Sequence, residues 1–198
     1  AIVGLGPAGA SLARLVDSKR WRVIAFDRRD PRFPERCAKP CGGLLSPDAL
    51  RVLARFNLAI PEGVIASPQI FSVKTIDLDR HITRHYPRFY LNIDRQKFDL
   101  WLMSLIPESV TLCPGSVVTS VRRAGDIYEI TCRTQGREDT ISARYVVGAD
   151  GARSVVARML FGPRQESLLL ALQEWTRCDG QNPFFSCIFD RRNPESYS

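Results

Sequence analysis

Three groups of residues in this chain could do chemistry. The first is Gly4-x-Gly6-x-x-Gly9. It follows Ile2-Val3, which reads as the end of a buried strand, and it opens a stretch with Ala8, Leu12, Leu15 and Val16 on one face at helical spacing. Pro7 suits the first turn of that helix, where its missing N–H would lack an intrahelical partner anyway. In such a turn Gly4 permits the tight strand-to-helix reversal, Gly6 lets a pyrophosphate approach the backbone, and Gly9 lets the helix pack close on the strand. The helix start at Pro7 and Ala8 then offers free N–H groups and a positive dipole end to phosphates. Residues 21–26 read as a second strand that Asp27 ends, 23 positions after Gly4 (27 − 4). A carboxylate there can accept hydrogen bonds from both hydroxyls of an adenosine ribose. The alternative is an ordinary βαβ turn with a helix-capping Asp. Strand, glycines, helix and acid in this order point instead to a dinucleotide site.

The second group is Lys39-Pro40-Cys41-Gly42-Gly43, just ahead of Ser46, an N-cap residue with Pro47 at the first position of a helix to about residue 56. Paired glycines there bring backbone close to something. Lys39 and the nearby helix N–H groups can stabilise a thiolate at Cys41. The plainer alternative is a small residue in a turn. The third group is Val146-Val147-Gly148-Ala149-Asp150-Gly151, a buried strand ending in a glycine-flanked carboxylate, followed by a helix over 155–161. Arg28 and Arg29 follow Asp27 and raise the thought of an NADP 2′-phosphate. Asp27 argues against it by placing negative charge where that phosphate would lie, and Arg28 stays among the candidate cofactor-binding residues.

Elements must hold these groups in place. Residues 58–92 carry β-rich runs at 69–74, 76–78 and 88–92, where a simple strand–helix alternation would give another βα at once. That excursion predicts a second domain inserted into the first. Asp94 can cap a helix over 95–106 whose apolar face is Phe98, Leu102 and Leu105, with Trp101, and Pro107 ends it. Further strands are predicted at 110–113, 117–123, 128–133, 140–147, 168–177 and 184–189, with a hairpin around Ala124-Gly125-Asp126. Internal repeats and low-complexity tracts are absent from the sequence.

Composition narrows the class. At 198 residues the chain can form one large or two small domains and bury a real core. It is 44% hydrophobic and 25% charged, ordinary for a soluble globular protein. The net charge of +7 is spread singly and in pairs, which suits anionic cofactors better than a nucleic-acid stripe. No apolar run approaches the ~20 residues of a membrane span. Six dispersed cysteines without C-x-x-C pairs or zinc spacing suggest reduced thiols in a cytoplasmic protein, and no metal is expected. His81 and His85 fall in an alternating stretch and read as exposed strand histidines. The chain lacks a starting Met, so residues are expected upstream.

Gly4-x-Gly6-x-x-Gly9, Asp27, Asn92-x-x-Arg95 and Val147-Gly148-Ala149-Asp150-Gly151 together resemble the group of FAD enzymes built like p-hydroxybenzoate hydroxylase. Lys39-x-Cys41-Gly42-Gly43 and Pro194-x-x-Tyr197 make the chain similar to the geranylgeranyl reductase-like branch of that group. The resemblance covers essentially the whole chain. It implies an α/β fold: a Rossmann-like FAD-binding domain over 1–57 and 94–162, interleaved with a partial β-rich substrate domain over 58–93 and 163–198. It implies that Gly4, Gly6 and Gly9, with Pro7 and Ala8, hold the FAD pyrophosphate and Asp27 the adenosine ribose. Arg95 would lie against the phosphate region and the backbone near Val118 against the adenine edge. Asp150, with Gly151, would support the pyrophosphate side and in some relatives the nicotinamide donor. The Cys41-Gly42-Gly43 loop would lie beside the isoalloxazine, with the Cys41 thiol placed to donate a proton as the flavin delivers hydride.

The activity so implied is FAD-dependent reduction of carbon–carbon double bonds in a prenyl or other apolar small molecule, with NAD(P)H or a reduced protein as electron donor. Nucleic acid is not an expected partner, and an apolar lipid substrate implies a loose peripheral membrane contact. A flavin monooxygenase or halogenase on the same scaffold is the first alternative. A flavin-free NAD(P)-dependent dehydrogenase is the second, and a basic binding module the third. The family's later Gly-Asp motif near the ribityl chain is missing from the sequence. The resemblance therefore implies the N-terminal part of a longer enzyme, truncated at the C-terminus.

Overall fold

The computed structural model describes residues 1–16, 19–163, 171–174 and 184–192. In chain order its elements are β1 (Ile2–Val3), α1 (Pro7–Leu15), β2 (Val23–Asp27), β3 (Leu44–Leu45), α2 (Pro47–Arg55), β4 (Ser72–Asp77), β5 (Ile82–Pro87), β6 (Leu91–Asn92), α3 (Arg95–Ser104), β7 (Val110–Pro114), β8 (Ser116–Ala124), β9 (Ile127–Thr134), β10 (Arg137–Ala143), β11 (Val147–Gly148), α4 (Val155–Phe161) and β12 (Phe184–Phe189). They form two compact units: Ala1–Lys39 with Gln96–Leu170, and Pro40–Arg95 with Ala171–Ser198. The expected first boundary at residue 57 moves to residue 39 for a local reason. β3 pairs antiparallel with β6, and the Gly43 carbonyl accepts the Ile93 N–H at 2.7 Å, so residues 40–45 are tied to the segment before α3.

The first unit is built on a parallel sheet in the order β11-β1-β2-β7. The central strands β1 and β2 are short runs of Ile, Val, Ala and Phe, β1 buried throughout and β2 toward its carboxyl end, as in strands covered on both faces, whereas β7 and β11 keep exposed residues. Alternate residues point to opposite faces. Val3 and Phe26 pack with Val118 and Val121 of β8, Ile130 and Cys132 of β9 and Val156 of α4 in one buried cluster. β8, β9 and β10 form an antiparallel meander with a register shift between Val118 and Ser120. On the opposite side α1 contacts β1 and buries Gly9, Ala10 and Ala13. The chain moves from β1 to β2 to β7 in one direction and returns to place β11 on the other side of β1. That reversal is the switch point beside which α/β sheets bind ligands, at the carboxyl ends of the strands.

The second unit holds the β3–β6 ladder, α2 and a mixed sheet in the order β12-β4-β5. β12 runs parallel to β4, with Phe184 opposite Ser72 and Phe189 opposite Asp77, while β4 and β5 form an antiparallel hairpin. The β excursion read from residues 58–92 is therefore real, and the strand expected at 184–189 completes it. Ser46 caps α2, its Oγ accepting the Ala49 N–H at 3.3 Å.

Several expectations need adjusting. His81 has φ +54 and lies in the turn between β4 and β5, so only His85 is a strand histidine. The run at 140–147 divides into β10 and β11 because its two ends join different sheets. Residues 171–174, within the strand expected at 168–177, are irregular; the rest of that stretch, apart from these four, and Pro194-x-x-Tyr197 lie outside the described residues.

Candidate cofactor site

The glycine turn sits at the carboxyl end of β1. Gly4 has φ +91, a backbone region that side chains disfavour, and a Cβ there would press on the Ala149 carbonyl after β11. A Cβ on Gly9 would overlap the Gly4 carbonyl oxygen, so helix and turn pack closer than any other residue allows. Gly6 differs: nothing lies within 4 Å of where its Cβ would point. Gly6 is also the N-cap of α1, with no side-chain cap, Pro7 following it and no acidic residue in the first turn. The N–H groups at the start of this helix, around Ala8 and Gly9, thus face an open approach with a positive dipole end behind them. A pyrophosphate fits this cradle.

Asp27 ends β2 and is 6% exposed. Its Oδ2 accepts the Leu5 N–H of the glycine turn at 2.6 Å, and its Oδ1 accepts the Arg29 N–H at 2.7 Å. The Arg29 side chain folds back on the same carboxylate, Nε to Oδ1 at 3.1 Å and Nη2 to Oδ2 at 3.3 Å. It also reaches the Leu5 carbonyl at 3.0 Å and Asp99 Oδ2 of α3 at 2.7 Å. Burial pulls the Arg29 pKa down, but hydrogen bonds and charge from Asp27 and Asp99 outweigh it, and the net shift is upward. Arg28, which the sequence favoured, is exposed.

Asp150 and Gly151 follow β11 on the other side of β1. The Asp150 carboxylate caps α4: Oδ1 accepts the Ser154 hydroxyl at 2.6 Å, and Oδ2 accepts the N–H groups of Val155 at 2.6 Å and Val156 at 3.3 Å. Gly151 is exposed beside it. Val118 packs its side chain in the core cluster, and its backbone borders the register shift in β8.

The second unit assembles another part of the predicted set. The loop through Cys41, Gly42 and Gly43 is irregular, Gly43 has φ +66, and a Cβ there would overlap the Ile93 carbonyl. That close contact is what the paired glycines are for. It accompanies a contact within the same unit: Arg95 donates from Nη1 to the Sγ of the half-buried Cys41 at 3.6 Å. Arg95 was expected at the cofactor phosphates; among its contacts in the structure is this thiol. Of the other described cysteines, burial pushes the Cys37, Cys113, Cys132 and Cys187 thiols up, which keeps them protonated.

Sequence reasoning weighed Arg29 only against an NADP 2′-phosphate and missed Asp99. The only signal was Asp99 interrupting the apolar run Phe98–Leu102–Met103 of a helix, where a buried carboxylate requires a partner. A cavity of about 1070 Å³ opens elsewhere in the first unit, at the amino ends of β1 and β2 near Trp21 and Tyr145. It lies at the opposite end of the sheet from the glycine turn.

Comparisons with known proteins agree with this fold. A family model described as an FAD binding domain matches residues 115–167, from the start of β8 past α4. The chain is 48% identical over all 198 residues to protein CbrA of Escherichia coli O157:H7, and it spans 56% of that protein's length. Among solved structures, a flavoprotein/dehydrogenase from Cytophaga hutchinsonii superposes with a TM-score of 0.64 at 20% identity, over 94% of this chain and 48% of the other. A geranylgeranyl bacteriochlorophyll reductase-like protein from Thermoplasma acidophilum gives 0.58 at 18% identity, over 73% and 37%. The flavin-dependent halogenase CmlS gives 0.60 at 18%, over 79% and 30%. The mixed α/β architecture of this chain, with its parallel sheet and glycine turn, is the Rossmann-like fold of the FAD-binding flavoproteins.

Proposed function

We propose that the chain is the cofactor-holding part of an FAD-dependent oxidoreductase that reduces carbon–carbon double bonds in a prenyl or other apolar substrate. FAD, when bound and reduced by NAD(P)H or a reduced protein, would supply the hydride. The glycine turn and the start of α1 bind the anionic middle of the cofactor, and the Asp27 region orients its adenosine end. Cys41 gives the proton that completes saturation at the second carbon. The thiolate then left is held by the Arg95 guanidinium until water returns the proton.

One observation carries the finer reading: a half-buried thiol in a glycine-pinned loop with a guanidinium nitrogen 3.6 Å away. A cysteine with structural work alone needs no cation beside it. NAD(P)H is the donor to test first. The experiment is turnover of a polyprenyl substrate by the full-length enzyme with NAD(P)H, with and without oxygen, following double-bond loss by mass spectrometry and oxygen uptake by electrode. Saturation that depends on Cys41 supports the proposal. Substrate hydroxylation or halogenation with oxygen uptake, and none of that saturation, would transfer it to the oxygen-using flavoenzymes that share the fold.

A further inference from the structure

Arg29 belongs to none of the motifs, yet it joins three parts of the cofactor site. Its guanidinium touches the glycine turn through the Leu5 carbonyl, the end of β2 through both oxygens of Asp27, and α3 through Asp99. Asp27 and Asp99 are 6% and 2% exposed, so both carboxylates that meet this guanidinium are buried. An ionised carboxylate has about four lone-pair positions. On Asp27 they are taken by the Leu5 N–H, the Arg29 N–H, Arg29 Nε and Arg29 Nη2. A ribose hydroxyl arriving at Asp27 must therefore replace one of these, and the Nη2 contact at 3.3 Å is the longest.

Charge sharpens the point. The Leu5 N–H that Asp27 holds lies inside Gly4-x-Gly6-x-x-Gly9, so the carboxylate pair backs directly on a turn shaped for an anion. Without Arg29, the buried Asp27 carboxylate would lose the guanidinium that faces it, and its field would oppose any phosphate in the turn.

We propose that Arg29 is a positioning residue of the dinucleotide site, with Asp99 as its anchor on α3. It fastens the glycine turn to β2 and α3 and cancels the carboxylate charge behind the phosphate cradle. It also yields one hydrogen bond on Asp27 to the ribose. This rests on the FAD reading above, and it assigns residues that neither the motif nor the resemblance names.

The test uses the full-length protein, with FAD and ADP affinities measured well below each variant's melting temperature, and the melting temperature recorded separately. Arg29→Met should weaken both FAD and ADP by roughly 10–150-fold, the factor one charge-assisted hydrogen bond is worth. Asp99→Asn, which weakens the anchor on α3 and leaves Arg29 on Asp27, should fall between wild type and Arg29→Met. Arg29→Lys, which keeps the charge but loses the fork, should fall between wild type and Arg29→Met, and it decides the matter if Arg29→Met does not fold. Wild-type FAD and ADP affinities in folded variants, with only the melting temperature lowered, would reduce Arg29 to scaffold and overturn the proposal. Failure of the FAD reading itself would look different: the wild-type protein would bind no FAD.

Discussion

At the scale of single residues, the two glycines of the turn separate binding from folding. Gly6 has ordinary φ −65 and open space where a Cβ would point, so Gly6→Val should fold normally while its branched side chain blocks the pyrophosphate approach. The expected outcome is a stable protein that is colourless after purification, and full retention of flavin by it would remove the cofactor assignment. Gly9→Ala should behave in the opposite way. Its Cβ has no room against the Gly4 carbonyl, and such overpacking costs about 1–3 kcal/mol, read as a lowered denaturation midpoint. Cys41 is the other residue on which function turns. Cys41→Ala and Cys41→Ser should keep FAD and lose turnover by roughly 10²–10⁴-fold, as when a general acid is removed. Cys132→Ser, by contrast, puts a hydroxyl into the core cluster and should lower stability while each folded molecule turns over normally. Arg95→Met should slow alkylation of Cys41 by iodoacetamide at neutral pH, a readout that does not depend on turnover.

At the scale of elements, the carboxyl ends of β1, β2 and β11 gather the glycine turn, Asp27 and Asp150, and this much was legible. Glycine spacing, strand-ending acids and Ser N-caps are local signals, and α4 falls on its predicted residues 155–161. The elements short in sequence and fixed by distant partners were not legible. The split of 140–147 into β10 and β11 depends on which sheet each half joins. Arg29 folds inward and Arg28 outward because α3 delivers Asp99 to one side only, and no window of sequence contains both. Asp150, expected at the pyrophosphate, makes the contacts of a helix cap. Its carboxylate spends three hydrogen bonds on the start of α4. Asp150→Ala should therefore destabilise the protein by about 0.5–2 kcal/mol, the range for a lost cap, measured by urea unfolding. If Asp150 also supports the cofactor, FAD affinity in the folded variant falls as well; unchanged affinity would leave it a cap.

At the scale of the molecule, each unit is assembled from two separated stretches of chain. Among the described residues no helix is long and apolar enough to cross a membrane. In the second unit, β12 is the parallel partner of β4, while β5 on the hairpin's other side is exposed along its whole length. Deleting residues 184–198 should leave β4 an unpaired edge and drive self-association, visible by light scattering, because a bare strand edge is a template for pairing. A monodisperse deletion variant would show that β12 is dispensable. The same pairing governs what happens on the ribosome. Phe184 cannot meet Ser72 until every residue between them has been translated. At the usual 5–20 residues per second, the β4–β5 hairpin waits roughly 5–20 s in the cell with one edge bare. The hairpin is thus a nascent-chain liability, and the protein's yield in vivo should respond to chaperone supply and to translation speed across residues 88–183.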